Sequence, residues 1–546
     1  MHTFRVRTLA TRTAAGFALL AATMMGTGAP AVAASHATSQ GGVIIDGLYE
    51  EPGNLNPILG PDETFSQIVQ TSIFRNLLMA TPNNVLVPDL ATQVPTVANG
   101  GISKDGLVYT FHIKPSARWS NGQPVTSRDV WITWKLINNP KVNAVSKLGW
   151  DDIKVFDILN NKTFRITLRH PNGALLANAF SHNLPGILPY SVFGHMSPAA
   201  VNTASFNHDP SVSDGPFMFK SWVPGAAITV VRNPHWYGPK PKASEIVFKI
   251  IPNENTLLAN AQAHAINVWY FDPIEDVPQL QQITGATVHF TSQPAFEMAV
   301  VNLRDPQLAN LDVRKALEMA IDRQAIVNEI WKGHATLLAA DQPATSWSNN
   351  PALTPYPYNP QAAAKLLAAA GWRKGKNGYL QKDGKTFHIV YATTAGNPYR
   401  SATERLVLYW LGQLGIQVTI HNYPANEYFG TVLPSGKGWD LGEFEYLDGP
   451  DPAFGPLELF TPSGSQDFGG YNNKTVNALF ARQAVLSSEA ERKPLLQQIE
   501  TIFHNQLPAL WYYSPQEIDT SIGITGYTPN AWSVDTWDCW NWALAK

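Results

Sequence analysis

A mixed α/β chain of about three domains is the fold class this sequence predicts, and three observations carry that reading. Its 546 residues exceed what one core usually holds, at roughly 100–200 residues per domain. Apolar residues make up 44% and charged residues only 15%, against about 25% charged in a typical soluble protein, so large cores can be filled. Strand-like and helix-like segments then alternate irregularly along the chain, which argues for mixed domains and not for a single barrel.

Residues 41–49 (GGVIIDGLY) form a short β-rich run that ends at the turn-prone Glu51-Pro52-Gly53-Asn54. In residues 65–79, Phe65, Ile68, Val69, Ser72, Ile73 and Leu77 fall on one helical stripe. The turn Ser103-Lys104-Asp105-Gly106 joins two strands, the second over 107–113. Thr126 as cap and Asp129 in the first turn open a helix over 126–138. Strands are expected at 164–168, 228–232 and 245–251. A single helix is expected over 313–331, with Arg314 and Asp322 two turns apart on one face. Pro360 opens the next, which Gly371 ends. A helix over 401–414 closes at Gly415 before a strand at 416–421, and two further helices follow at 474–487 and 490–505. No internal repeat is found.

Composition removes several function classes. The formal net charge of −3 leaves no positive excess to neutralise phosphates, so dedicated nucleic-acid binding is not expected. The apolar fraction excludes a disordered chain. The single Cys539 rules out an intramolecular disulfide framework, a CxxC redox site and a multi-cysteine zinc site. The N-terminus reads as a cleaved secretory signal over residues 1–33: Arg5, Arg7 and Arg12, then the apolar run 14–25, then Ala31-Val32-Ala33. The run is short of the roughly 20 apolar residues of a membrane anchor. Val6 separates the first two arginines, and no cysteine follows for a lipid anchor. A periplasmic or secreted location is therefore expected. Processing would remove three arginines and no acid, leaving a mildly acidic chain.

Enzyme signatures are mostly missing. There is no HExxH, GxSxG, Walker-type phosphate loop or GxGxxG, and the 14 histidines show no metal-ligand spacing. One dense acidic and aromatic cluster stands out, from Trp439 through Glu443, Glu445, Tyr446 and Asp448 to Gly449-Pro450-Asp451-Pro452. Its carboxylates can serve acid/base glycoside hydrolysis, hold a cationic ligand, or cap turns; spacing alone leaves the three open.

Six segments, in order over nearly the whole processed chain, resemble the family 5 extracellular solute-binding proteins of ABC importers. They are Glu51-Pro52-Gly53-Asn54-Leu55-Asn56-Pro57; Pro88-Asp89-Leu90-Ala91 followed by Lys104-Asp105-Gly106 through Lys114-Pro115; Trp119-Ser120-Asn121-Gly122 through Asp129-Val130; Ser213-Asp214-Gly215-Pro216-Phe217 through Asn233-Pro234-His235-Trp236-Tyr237; Val313-Arg314 through Ala320-Ile321-Asp322-Arg323; and Pro360 through Ala370-Gly371-Trp372. Asp214 departs from the usual Gly, and Trp236-Tyr237 from the usual aromatic order. Most of these residues read as scaffold.

The resemblance implies a periplasmic-binding-protein clam-shell: two mixed α/β lobes joined by a hinge, with an extra domain inserted in the N-terminal lobe. The implied boundaries are 34–75, 213–293 and 506–546 for the first lobe, 76–212 for the insert and 294–505 for the other lobe. It further implies a non-enzymatic, monomeric carrier that hands a peptide to an ABC permease in the membrane, with no cofactor and no metal. In peptide-binding members an Asp four residues before a Pro receives the peptide's α-ammonium, and Asp448 has that spacing to Pro452. The candidate ligand contacts are therefore Asp448, Tyr446, Glu445, Gly449 and Trp439, with Asn54 of the first motif. Glu445 stands where the family often has Trp. Thr394 stands where dipeptide binders carry the arginine that clamps a C-terminal carboxylate, and Arg400 lies on the wrong side of Asn397-Pro398 to replace it. Longer peptides are thus favoured. An oligosaccharide carrier, served by 17 tryptophans, and a secreted glycoside hydrolase using Glu443, Glu445 or Asp448 are the alternatives; nothing specifies nickel or haem.

Overall fold

One mixed sheet of twelve strands organises the computed structural model, which describes residues 41–59, 64–182 and 186–546. The expected leader lies outside the described residues. In chain order the strands are β1 (Val43–Leu48), β2 (Phe217–Val223), β3 (Ala227–Arg232), β4 (Glu245–Ile250), β5 (Val268–Trp269), β6 (Ala286–Ser292), β7 (Ala295–Val301), β8 (Ala335–Leu337), β9 (His388–Thr394), β10 (Gln417–Tyr423), β11 (Leu441–Leu447) and β12 (Ala509–Ile522). Their spatial order is β10-β9-β11-β7-β12-β5-β1-β4-β3-β2, with β6 and β8 also paired to β12.

The 14-residue β12 is the shared strand. Its first part runs antiparallel to β7, with Leu510 opposite Ala299, and its second part antiparallel to β6, with Gln516 opposite Ser292 and Ile522 opposite Ala286. Side chains alternate across the pleat, so β7 and β12 feed two cores at once. Phe296, Met298 and Val300 pack with Trp511 on one face, while Ala299 and Val301 pack with Leu510 and Tyr512 on the other. A third core joins β1, β4 and β5 to Tyr109, Phe111, Phe164 and Ile166 of a separate three-stranded sheet made by Val108–His112, Thr163–Leu168 and Ile153–Asn160.

Several expected elements change in the structure, each for a local reason. The helix begun at Phe65 is α1 (Thr64–Ile73) and stops short of Met79, because the Arg75 N–H donates to Asp214 Oδ1 at 3.0 Å. Leu78–Ala80 then forms a strand against Leu86–Pro88. The helix over 126–138 is α2 (Ser127–Ile137), and the Asp129 carboxylate accepts from the Thr126 N–H at 2.6 Å. The single helix over 313–331 is broken into α3 (Leu311–Ala320) and α4 (Arg323–Glu329). Ile321 is extended, and Asp322 caps α4 by accepting from the Ala325 N–H at 3.1 Å. Arg314 and Asp322 therefore do not share one helix; Arg314 instead donates to the carbonyls of Leu308 and Gln506. The helix expected from Ser401 starts earlier, as α5 (Pro398–Gln413), with Asn397 accepting from the Arg400 N–H at 3.0 Å.

Candidate functional site

β11 and the turn that leaves it carry the acidic cluster. Its first four residues, Leu441 to Phe444, are buried between β7 and β9, and the strand ends where Asp448 donates its N–H to the Pro294 carbonyl at 2.8 Å. Pro450 and Pro452 have no N–H to continue a ladder, so the chain turns and enters the short helix α6 (Phe454–Phe460). The Asp448 side chain holds that turn: Oδ1 accepts from the N–H groups of Gly449 (3.0 Å) and Gly455 (3.2 Å). Its other oxygen, Oδ2, is buried without a hydrogen-bond partner. Burial pushes the carboxyl well above its ordinary range, against the two backbone donors, and Asp451 and Asp341 push it further.

Two adjoining cavities open beside this turn, about 230 Å³ and about 410 Å³ in volume. They share Phe271, Gln293, Leu447 and Glu517. Glu445 lines the smaller; Tyr446, Gly449 and Phe454 line the larger. Tyr446 is braced by Phe296, with ring centroids 5.5 Å apart, and Trp331 stacks on Tyr399 at 4.7 Å in the wall of the smaller cavity. Burial and the neighbouring Glu297 raise the Glu445 carboxyl to about 7, and Arg400 opposes them.

The facing wall comes from β12 and the chain beyond it. Carboxylate oxygens of Glu517, Asp519 and Asp535 lie within 4.8 Å of one another. Their donors are neutral: Gln293 Nε2 to Glu517 Oε2 at 2.5 Å, the Phe271 N–H to Asp519 at 3.2 Å and the Asn530 N–H to Asp535 at 2.9 Å. Burial raises all three carboxyls, Asp535 to about 7, and mutual repulsion raises Glu517 and Asp519 further. Asp272, also in the wall, accepts from the Thr520 hydroxyl, while its Oδ1 is buried and unpaired.

The structure thus brings together Glu445, Tyr446 and Gly449, and sets Asp448 directly behind them as a turn cap with one oxygen unused. It does not bring in Trp439, which is 2% exposed inside a core and donates Nε1 to the Val432 carbonyl. Nor does it bring in Asn54, whose side chain accepts from the Asn56 N–H and donates to the Leu59 carbonyl. Glu443 is fully buried and lines neither cavity. Arg400 is committed to Glu297, with Nε–Oε1 at 2.8 Å, and also donates to Thr394. Sequence reasoning missed Asp272, Glu517 and Asp535. The i, i+2 spacing of Glu517 and Asp519 is the one available signal, and it acquires meaning only once residues 509–522 are known to be a strand.

Comparison with known proteins places this architecture. Residues 85–467 match the model of the bacterial extracellular solute-binding proteins, family 5. The oligopeptide-binding protein AppA of Bacillus subtilis is 24% identical over 527 residues, covering 93% of this chain and 92% of that protein. The solved structure of the Bacillus subtilis oligopeptide-binding protein AppA with a nonapeptide superposes with a TM-score of 0.74 at 22% identity, over 93% of this chain and 100% of the other. NikZ from Campylobacter jejuni, solved with Ni(L-His), gives 0.76 at 24% identity over 92% and 100%. The chain belongs to the family 5 extracellular solute-binding proteins, and its fold is theirs. Among the described residues no helix is long and apolar enough to cross a membrane.

Proposed function

We propose that this family 5 solute-binding protein is the extracytoplasmic subunit of an ABC importer that captures oligopeptides and delivers them, as a monomer, to a membrane permease. The observation that carries the reading is the unpaired, buried Asp448 Oδ2 beside a cleft walled by Tyr446, Gly449 and Phe454. A buried carboxylate oxygen without a donor is costly, and a peptide's α-ammonium supplies both charge and hydrogen-bond donors. Oligopeptide-binding relatives agree with this cargo. Thr394, in place of a carboxylate-clamping arginine, leaves the far end of the ligand free, which fits longer peptides.

Residues 294–505 carry β11 and Asp448, and residues 506–546 return to the first lobe with Glu517 and Asp535. Peptide seated between them binds the closed arrangement better and so populates it; a shift from 1:99 to 99:1 takes about 5.5 kcal/mol of differential affinity. Aromatic faces and hydrated polar groups then serve many sequences. Trp439 and Asn54 act through the scaffold, the first by anchoring the start of β11.

Calorimetry of the protein against peptide and oligosaccharide pools tests the reading. A peptide should bind, and Asp448→Asn should weaken it at least about ten-fold, near 1.4 kcal/mol, while the unfolding midpoint holds because the amide oxygen still caps Gly449 and Gly455. Stabilisation by sugars with no response to any peptide would overturn it.

A further inference from the structure

We propose that the wall formed by Asp272, Glu517, Asp519 and Asp535 is a second cation-binding subsite, one that takes a guanidinium or ammonium side chain of the ligand, so that the favoured cargo is basic oligopeptide. The inference rests on the peptide reading above and adds a substrate class to it.

Charge balance is the first observation. The two cavities are lined by the carboxyl groups of Asp272, Glu445, Glu517 and Asp535, and among the described residues no lysine, arginine or histidine lines either. Only Glu445 has a cation in its surroundings, Arg400, and that guanidinium is already bound to Glu297. The second observation is independent of the cluster's composition. Asp272 is 5% exposed and lines the smaller cavity, yet its Oδ1 has no partner. Asp519, fully buried behind Glu517, likewise has an oxygen without a partner. Elsewhere this chain pairs some buried carboxylates with arginines, as in Glu318–Arg323 and Asp451–Arg492, and leaves single ones such as Asp46 and Asp214 without an ion pair; only here do several unpaired carboxyls, among the described residues, gather at cavity walls. Here no cation of the described chain is paired with them, and the side chain of a ligand can supply the counter-charge.

The surroundings favour an organic cation over a metal ion. A hard divalent ion of calcium type wants about 6–8 oxygens, whereas much of this wall is ring surface: Phe271, Trp331 and Tyr399 line the same cavity as Asp272 and Glu517. Lysine and arginine side chains have the matching form, an apolar stem that lies along aromatic surface and a charged head, with added attraction between the cation and a ring face. Asp448 would hold the peptide's α-ammonium on one wall of the cleft, and the Glu517 cluster a basic side chain on the other.

The test is calorimetry with pentaalanine and with the same peptide carrying one arginine, or one glutamate, at each position in turn. At least one arginine peptide is expected to bind about ten-fold tighter than pentaalanine and the glutamate peptides weaker. Glu517→Gln and Asp535→Asn, made singly and together, should bring the ratio of arginine-peptide to pentaalanine affinity down towards one. The half-buried Glu517→Gln serves if the double variant does not fold. Equal binding of arginine and alanine peptides overturns the basic-cargo inference and leaves the peptide reading standing. Failure of every peptide overturns the peptide reading. Calcium or magnesium that raises the unfolding midpoint of the empty protein and competes with the arginine peptide overturns the side-chain subsite in favour of a metal site.

Discussion

Buried carboxylates occur in two settings in this molecule, and they are treated in opposite ways. Inside the lobes several meet an arginine, while Asp46, Asp214 and Glu443 are buried without an ion pair. Asp89 pairs with Arg75 at 2.6 Å, Glu318 with Arg323 at 2.5 Å, and Asp451 with Arg492 at 2.5 and 2.8 Å. At the cleft, Asp272, Asp448, Glu517, Asp519 and Asp535 form no ion pair among the described residues; they receive hydrogen bonds from backbone N–H groups, a glutamine and a hydroxyl, and Glu517 also bonds its acidic neighbours Asp519 and Asp535. Taking an ion out of water costs several kcal/mol unless a partner offsets it.

That contrast can be broken, or sharpened, by experiment. The largest effect is expected inside a lobe. Arg323 donates to Glu318 and to the carbonyls of Trp511 and Tyr356, so Arg323→Met should destabilise the protein by about 3–5 kcal/mol in chemical denaturation. A loss below about 1 kcal/mol would erase the distinction between paired and unpaired sites. Next comes the wall of the cleft. A methyl on Gly455 would lie 2.5 Å from the Tyr446 ring and 3.3 Å from Asp448 Oδ2. Gly455→Ala should cost about 1–3 kcal/mol and weaken peptide binding; unchanged affinity would detach Tyr446 and Asp448 from the ligand.

A pH dependence supplies a third test. The Asp535 carboxyl is raised from 3.8 to about 7 by burial. A raised acid favours folding fully below its unfolded value near 4, and that contribution is lost as pH rises through about 7. The empty protein should thus lose stability progressively as pH rises from about 4 to about 7, from this group. Asp535→Asn should flatten the loss, and a basic peptide should offset it; a stability profile indifferent to the substitution would contradict the assignment. The smallest effect belongs to a surface pair. Lys220 meets Glu245 at 2.9 Å with its side chain 51% exposed, and Lys220→Ala should change stability by less than about 1 kcal/mol.

Much of the scaffold is legible in the amino-acid sequence. Thr126 with Asp129 announces α2, Pro360 announces its helix, and the short β-rich run at 41–49 is β1. The departures have a common origin. Ile321-Asp322 lies within an unbroken helical stripe, yet Asp322 caps a second helix, and Arg75 leaves α1 for a carboxylate 139 residues away. Local propensity is a weak prior against such partners. The site is half visible: Glu445, Tyr446 and Gly449 lie together in one acidic and aromatic stretch, while Asp272, Glu517 and Asp535 are scattered acids in segments with no other signal. Trp439 shares that stretch but points into a core.

Composition and motif order are enough to read the α/β class and the family; they left Asp448 open between a ligand contact and a turn cap. Tertiary structure alone decided that β12 serves both halves of the sheet and that acids more than 250 positions apart, Asp272 and Asp535, share one wall. The physical reason is range. Caps and turns are closed by near neighbours, whereas the charge of a cleft is a sum over segments that only strand pairing brings together. No residue in that sum announces, within its own segment, that its counter-charge is missing.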